Sequence, residues 1–307
     1  MTMSQRFDVL VIGCGIAGLT AARECLRNGM TTATLESFFP GGLVLNVNHL
    51  DGEIQGSGID LATQLMTEIG DLGGRNISGA ACSMRVDDGG LVVSSEPEEI
   101  HTRSVIVASG AKIKRLRIPG EAELEGQGVS QCADCDGPLF HGQDVVVVGG
   151  GDSALQEALA LSHYARQVHL LHRGSQFRAR ANYVDAVTAK PNITVRLRTV
   201  AEAVLGNGGV EAVRAKELNT GETDEIACTG FFAYVGLEPV CEFVPEATAR
   251  DANGFLVTDA SMRATLPGVY AAGAVRSGHG GLLSHAIADG IAAANSAKAL
   301  RTGATPA

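Results

Sequence analysis

The sequence predicts an α/β protein of two Rossmann-like dinucleotide-binding domains, the second inserted into the first. Three observations predict it. A strand, a glycine turn, a helix and a second strand open the chain at 7–36, and a second unit of the same plan occupies 143–172. The 307 residues are 45% apolar with 39 glycines, enough to bury two cores and to make the tight turns both units need.

FDVLVI (7–12) reads as a buried strand, GCGIAG (13–18) as the turn, and the Ala/Leu-rich run to about Arg27 as a helix broken at Asn28-Gly29 before the strand TTATLE (31–36). An Asp60-capped helix is expected over roughly 61–72, and the strand SVIVAS at 104–109. KIKRLRIPGE (112–121) follows, its Pro119-Gly120 pair reading as a linker. QDVVVV (143–148), GGGDSA (149–154), a helix to about Tyr164 and QVHLLH (167–172) form the second unit. Alternating strands around an Asn207-Gly208-Gly209 turn lead to FFAYV (231–235), and Gly236 to Pro239 reads as a second boundary. The tail offers MRATLPGVYAAG (262–273), a glycine-rich loop and a helix from Leu283 to Leu300, too few elements to stand alone. Residues 243–307 are therefore expected to return and complete the domain begun by 1–115, leaving 116–242 as the insertion.

Charge and cysteine usage exclude several classes. Lys and Arg number 24 against 34 Asp and Glu, a net charge of −10, which argues against nucleic acid or an anionic membrane as partner. Seven cysteines make no dense disulfide framework, so the chain reads as cytoplasmic. The apolar run Val9 to Ala22 is punctuated by spaced glycines and reads as the nucleotide turn, not a leader. Gly281 to Ala294 is broken by His285 and Asp289, so no membrane span is expected.

Gly13-x-Gly15-x-x-Gly18 between strand and helix lets the backbone approach a pyrophosphate at a helix N-terminus. Glu36, 23 residues after Gly13, supplies a carboxylate that accepts a ribose hydroxyl and repels a 2′-phosphate, favouring the adenosine half of FAD or NAD. The second fingerprint, Gly149, Gly151, Asp152, Ser153 and Ala154, is followed by His172-Arg173 with no acid; with Arg178 nearby, this site leans to NADPH.

Cys132-Ala133-Asp134-Cys135 lies 14 residues before Gly149. Zinc normally takes four ligands and no second C-x-x-C or H-x-x-x-H occurs, so redox chemistry is the better reading and no metal is expected. A helix start there would lower a thiol pKa. Asp136 is either a proton shuttle for the dithiol or a helix cap. Cys14, Cys25, Cys82, Cys228 and Cys241 read as isolated thiols without chemistry, and His279 and His285 as loop or cap residues.

The order of these motifs, a first fingerprint, C-x-x-C-D, GGGDSA, HR…FRA and PGVYAAG, resembles the low-molecular-weight thioredoxin reductase family over about Phe7 to Leu300. "CADCDGPLFHGQDVVVVGGGDSALQEAL" carries the resemblance most specifically. It implies an FAD-binding domain made of both chain ends, with contacts at Gly42, Gly110, Gly273 and Ala274 besides the first fingerprint, an NADPH-binding insertion, and a homodimer. Electrons would pass from NADPH to FAD, to a Cys132–Cys135 disulfide, and on to thioredoxin or a similar small dithiol protein. Cys135 would lie nearer the flavin, Cys132 would exchange with substrate, and Asp136 would be the acid. The family alternates by domain rotation, which makes Pro119-Gly120 and Gly236 to Pro239 hinge candidates.

The departures from the family pattern keep alternatives open. The family's Gly-Asp after the "AAG" strand is Gly273-Ala274 here, its Arg-Gln before the last helix is Gly281-Leu282, and its Gly-Gly-Gln is Gly41-Gly42-Leu43. Its second phosphate arginine is Gly174, which leaves NADH or another donor open. The competing readings are a dithiol oxidase passing electrons to oxygen, a reductase fed by ferredoxin, and a slow nucleotide-dependent redox sensor.

Overall fold

The computed structural model describes residues 6–46, 50, 56–87 and 89–302. The chain divides into two compact units, Met1–Lys112 with Glu238–Ala307 and Ile113–Leu237. The divisions fall three and five residues ahead of the expected ones.

The first unit opens with β1 (Arg6–Ile12), α1 (Ile16–Arg27) and β2 (Thr32–Glu36), then α2 (Gly58–Asp71) and β3 (Arg75–Ser78). A meander of β4 (Ser83–Asp87), β5 (Gly90–Ser95) and β6 (Glu98–Val107) follows, and β7 (Ala111–Ile113) leads out of the unit. In the second unit, β8 (Val129–Ser130) and a single turn, α3 (Ala133–Asp136), precede β9 (Asp144–Gly149), α4 (Asp152–Leu161) and β10 (Gln167–His172). Then come α5 (Ala181–Thr188), β11 (Ile193–Leu197), β12 (Thr199–Leu205), β13 (Ala212–Glu217), β14 (Thr223–Ala227) and β15 (Gly230–Tyr234). β16 (Leu237–Pro239) returns the chain, which ends in β17 (Val269–Ala271) and α6 (Leu283–Thr302).

In the first unit the sheet order is β3-β2-β1-β6-β5-β4, with β17 also on β6. Strands β1, β2, β3, β6 and β17 are parallel, so their carboxyl ends share one edge. β1 and the inner half of β6 are apolar on both faces because both faces are covered. One face packs Val9, Leu19, Ile69 and Ala293 under the helices; the other packs Leu10, Leu35, Val107, Phe243 and Leu256. α6 approaches α1 closely at Gly290, where a Cβ would stand 2.5 Å from the Ala17 carbonyl oxygen. α2 begins three residues before the expected start: Ser57 is its cap, and Asp60 is the third helical residue, accepting the Ser57 N–H in a capping box.

In the second unit the parallel order is β11-β10-β9-β15-β8, beside an antiparallel β12-β13-β14. Its cores are Val145, Val147, Leu155, Leu170 and Phe232 on one face, and Val146, Val148, Leu171, Val213 and Phe231 on the other. Pro119-Gly120 is not a crossing. The Pro119 carbonyl accepts the Val204 N–H at 2.9 Å, which fastens this pair inside the second unit. The crossings are β7 and β16, which pair as a two-stranded ribbon, so Gly236 to Pro239 is part strand. Within 262–273 the strand is β17, the three residues that lie beside β6.

Candidate active site

At the carboxyl edge of the first sheet, the three fingerprint glycines have different reasons to be glycine. Gly13 has φ +96°, and a Cβ there would meet the Ala108 carbonyl oxygen at 2.5 Å; a Cβ on Gly18 would run into the Gly13 carbonyl oxygen. Gly15 has φ −68°, and nothing lies within 4 Å of where its Cβ would be. Two glycines thus close the turn, and the third leaves open the space an approaching pyrophosphate needs. Glu36 ends β2, its carboxylate accepting the Cys14 N–H at 2.7 Å and those of Ser37 and Phe38 at 2.8 and 3.0 Å. Gly41 and Gly15 form a β-bridge, and Gly42 lies against the Gly15 Cα. Gly110 follows β6, and Gly273 with Ala274 follows β17, where a Cβ on Gly273 would meet the Ala17 Cβ at 2.8 Å. All these predicted residues gather at one edge, and this open, glycine-lined cradle fits a flavin dinucleotide.

The turn after β17 is held by a residue the sequence reading did not assign. Asp289 of α6 is only 4% exposed. It accepts the Gly273 N–H at 3.1 Å, both arms of Arg276 at 2.7 Å, and faces His279 Nδ1 at 3.2 Å. Burial pushes its pKa up, but the Arg276 fork, the Gly273 N–H and His279 outweigh that and hold the carboxyl below the usual range. His279 therefore belongs to a buried polar network, with the His285 ring 6.2 Å away.

The second fingerprint repeats the division of labour. A Cβ on Gly149 would meet the Ala154 Cβ and the Tyr234 carbonyl oxygen, each at 2.5 Å, whereas nothing lies within 4 Å of one on Gly151. Asp152 starts α4, and its carboxylate pairs with Arg180 at 2.7 Å; Ser153 is exposed beside it. Arg173 and Arg178 are exposed past the end of β10, and the Arg178 N–H binds the Gly150 carbonyl at 2.8 Å. His172 is brought to the same place but is buried. Its ring packs against Gly150 and Gly174, with Nε2 3.0 Å from the Gln176 carbonyl oxygen, so it fastens the arginine loop to the glycine loop.

Cys132 and Cys135 follow β8 at the same edge and are joined in a disulfide, their Cα atoms 5.3 Å apart. Cys132 is half-buried and Cys135 exposed. The helix here is only Ala133–Asp136, so a macrodipole contributes little, and a discrete contact replaces it: the Cys135 N–H donates to Cys132 Sγ at 3.2 Å. Asp136 makes no side-chain cap; its carboxylate accepts the Ser130 hydroxyl at 2.7 Å, and that hydroxyl accepts the Cys132 N–H at 3.2 Å. Glu157 of α4 accepts the Ala133 N–H at 2.8 Å and the Tyr234 hydroxyl at 3.0 Å. Ser130 and Glu157 were not singled out in the sequence; only the proximity of Ser130 to the cysteines could have signalled it.

Four of the five isolated thiols are buried, and Cys82 is exposed. Burial pushes Cys14 up to about 11, and Cys25 and Cys228 up to about 12, which keeps them protonated at neutral pH. Among the described residues no cluster of His, Cys, Asp and Glu could hold a metal ion, and no helix is long and apolar enough to cross a membrane.

The pyridine nucleotide-disulphide oxidoreductase family model matches residues 7–290. The chain is 35% identical over 299 residues to a thioredoxin reductase of Treponema pallidum, covering 96% of this chain and 97% of that one. It is 33% identical over 302 residues to the thioredoxin reductase of Bacillus subtilis, covering 96% and 95%. Among solved structures it is similar to Lactococcus lactis thioredoxin reductase (TM-score 0.88, 35% identity, 97% and 99% covered) and to that of T. acidophilum (TM-score 0.85, 31% identity, 97% and 99% covered).

Proposed function

The chain belongs to the pyridine nucleotide-disulphide oxidoreductase family, and from that membership we propose a flavin-dependent disulfide reductase that carries electrons from NADPH through FAD to Cys132–Cys135 and on to thioredoxin or a similar small dithiol protein. The observation that carries it is a disulfide wired to a carboxylate, Cys132 to Ser130 to Asp136, in the unit that also holds a nucleotide fingerprint. Met1–Lys112 with Glu238–Ala307 is the FAD-binding domain of this reading, and Ile113–Leu237 the NADPH-binding one. Bound FAD supplies a two-electron carrier between a hydride donor and a disulfide.

In the first unit, Gly13 and Gly18 shape the turn, Gly15 leaves room for the pyrophosphate, Glu36 faces the ribose, and Gly42, Gly110, Gly273 and Ala274 border the rest. In the second, Gly149, Gly151, Asp152, Ser153 and Ala154 form the pyrophosphate turn, His172 braces it, and Arg173 and Arg178 present positive charge to a 2′-phosphate. In the reduced protein, Cys132 is the attacking thiolate, because the Cys135 N–H is aimed at its sulfur while Glu157 occupies the Ala133 N–H. Cys132 Sγ bonds to one sulfur of the substrate disulfide, the substrate S–S bond breaks, and the leaving thiolate takes a proton from the Asp136 carboxyl. Cys135, its thiol proton passing to the Asp136 carboxylate, then attacks Cys132 Sγ; the bond from Cys132 Sγ to the substrate breaks, the second substrate sulfur leaves with that proton, and the protein disulfide is restored.

The test is an anaerobic titration of the flavin absorbance with NADPH and, in parallel, NADH, followed by oxidised thioredoxin. Bleaching complete at about two equivalents of NADPH, one consumed by the disulfide and one by the flavin, and recovery on adding thioredoxin are expected. No bleaching by either nucleotide, with flavin present, refutes the donor assignment; bleaching without recovery refutes the acceptor. The same reading takes the protein as a cytoplasmic homodimer, which a sedimentation measurement checks for the dimer.

A further inference from the structure

The family's second phosphate-binding arginine has no place at position 174 of this chain. A Cβ on Gly174 would stand 2.6 Å from His172 Nε2, and that ring is buried, packed against Gly150 and held at the Gln176 carbonyl. A side chain at 174 requires the His172 brace to move. The question is whether another cation fills the gap.

Arg198 is the single residue between β11 and β12, and it is held at φ +52°. A bulky non-glycine residue in the left-handed region is strained, and such strain concentrates where function fixes the backbone. Its N–H donates to the Gly174 carbonyl at 3.0 Å, and its own carbonyl accepts the Leu218 N–H at 2.7 Å, so the corner is pinned to the residue that cannot carry the arginine. His172 and Leu197 are register partners at the ends of the neighbouring parallel strands β10 and β11. Arg173 and Arg198 are therefore the next residues on adjacent strands, both exposed and both at the carboxyl edge where such sheets bind nucleotides. Glu217 shares the field of Arg198, and its carboxylate is engaged by the Asn219 and Thr220 N–H groups at 2.9 and 2.6 Å.

We propose that Arg198, together with Arg173 and Arg178, forms the 2′-phosphate site, taking over from the neighbouring strand the charge that position 174 cannot supply. The proposal rests on the NADPH reading above and names a specificity-determining residue for it. It is tested on the flavin-loaded full-length chain by calorimetric titration with NADP+ and NAD+, comparing Arg198→Asn with wild type, Arg173→Ala and Arg214→Ala. Asparagine tolerates the left-handed conformation, so Arg198→Asn removes the charge without adding strain. Arg214 is an exposed arginine of the same unit paired with Glu225 and serves as the control. The expected result is that Arg198→Asn lowers NADP+ affinity about tenfold, leaves NAD+ affinity unchanged and flattens the salt dependence, as for loss of one charge-assisted phosphate contact. Retention of the wild-type NADP+/NAD+ ratio in Arg198→Asn, while Arg173→Ala loses it, overturns the role of Arg198 and leaves the NADPH reading standing. Equal loss for both nucleotides also overturns it, since that marks a structural corner. A wild type that does not prefer NADP+ overturns the NADPH reading itself.

Discussion

Asp289→Asn is the sharpest probe of the cradle in the first unit. Its side chain is 6% exposed and that of Arg276 16%, and the two share a bidentate pair with both contacts at 2.7 Å. The amide keeps one acceptor oxygen but turns its NH2 toward donors, so either an arm of Arg276 or the Gly273 N–H faces a donor. Removing one partner of a buried, hydrogen-bonded pair costs about 3–5 kcal/mol, and the retained amide oxygen brings this to roughly 3 kcal/mol. For a unit of this size each kcal/mol moves Tm by about 2–4 °C, so a fall of about 6–12 °C is expected at pH 7. The pH dependence has a definite sign. The folded carboxyl is held below its unfolded value, so its contribution is full above the ordinary carboxylate pKa of about 4 and fades as the pH falls through the folded value. Thermal melts followed by circular dichroism from pH 7 to pH 3 should show the wild type and variant converging in acid. A drop of under about 2 °C at pH 7, or a gap that stays constant into acid, refutes the reasoning.

Gly15→Ala is expected to purify with little flavin yet melt like flavin-stripped wild type, because its φ of −68° suits alanine and the methyl enters open space that the proposed reading gives to the pyrophosphate; Gly18→Ala, whose methyl meets backbone, should lower the flavin-free Tm as well. Gly151→Ala should retain flavin and lose about ten- to a hundredfold in nucleotide affinity by the same steric argument, read by calorimetry. Cys135→Ser should still bleach its flavin with NADPH while steady-state thioredoxin reduction falls by about three orders of magnitude. Ser130→Ala breaks the link between Asp136 and the Cys132 N–H, and is expected to lower kcat about tenfold and shift its pH profile with KM for NADPH unchanged.

The parts legible in the sequence are those whose cause is local. β1 and β9 are short apolar runs ending in glycines, and α1 stops at Asn28-Gly29 because Gly29 takes φ +72°. The cysteine pair is legible because both sulfurs lie within one turn of chain. What was not legible depends on partners far apart in the chain: Glu157 reaches Ala133 across 24 residues, and Asp289 reaches Gly273 across 16. His172 read as a phosphate ligand from its place at the end of β10, yet its ring is buried, since Gly150 and Gly174 leave a slot for it that sequence spacing does not reveal. Asp60 read as a cap because an acid before an apolar run resembles one; Ser57 has the same signal three residues earlier and sits at the true helix start.

The position of the dithiol on its sheet argues for a carrier between donor and disulfide. The fingerprint lies at the end of β9, the arginines past β10, and the cysteines past β8, with β15 between β8 and β9. Strands are spaced about 4.8 Å apart, so the dithiol and the nucleotide turn are roughly 10 Å apart along one edge. A hydride does not cross such a gap. On the proposed reading, electrons must leave the second unit and come back, which is why the first unit keeps a complete fingerprint with its own ribose carboxylate. Flavin-free Gly15→Ala protein should therefore bind NADPH, hold its disulfide oxidised in the presence of NADPH, and pass electrons again only when FAD is restored at high concentration. Thiol titration after incubation with NADPH checks this, and two free thiols appearing at Cys132 and Cys135 without flavin would refute it.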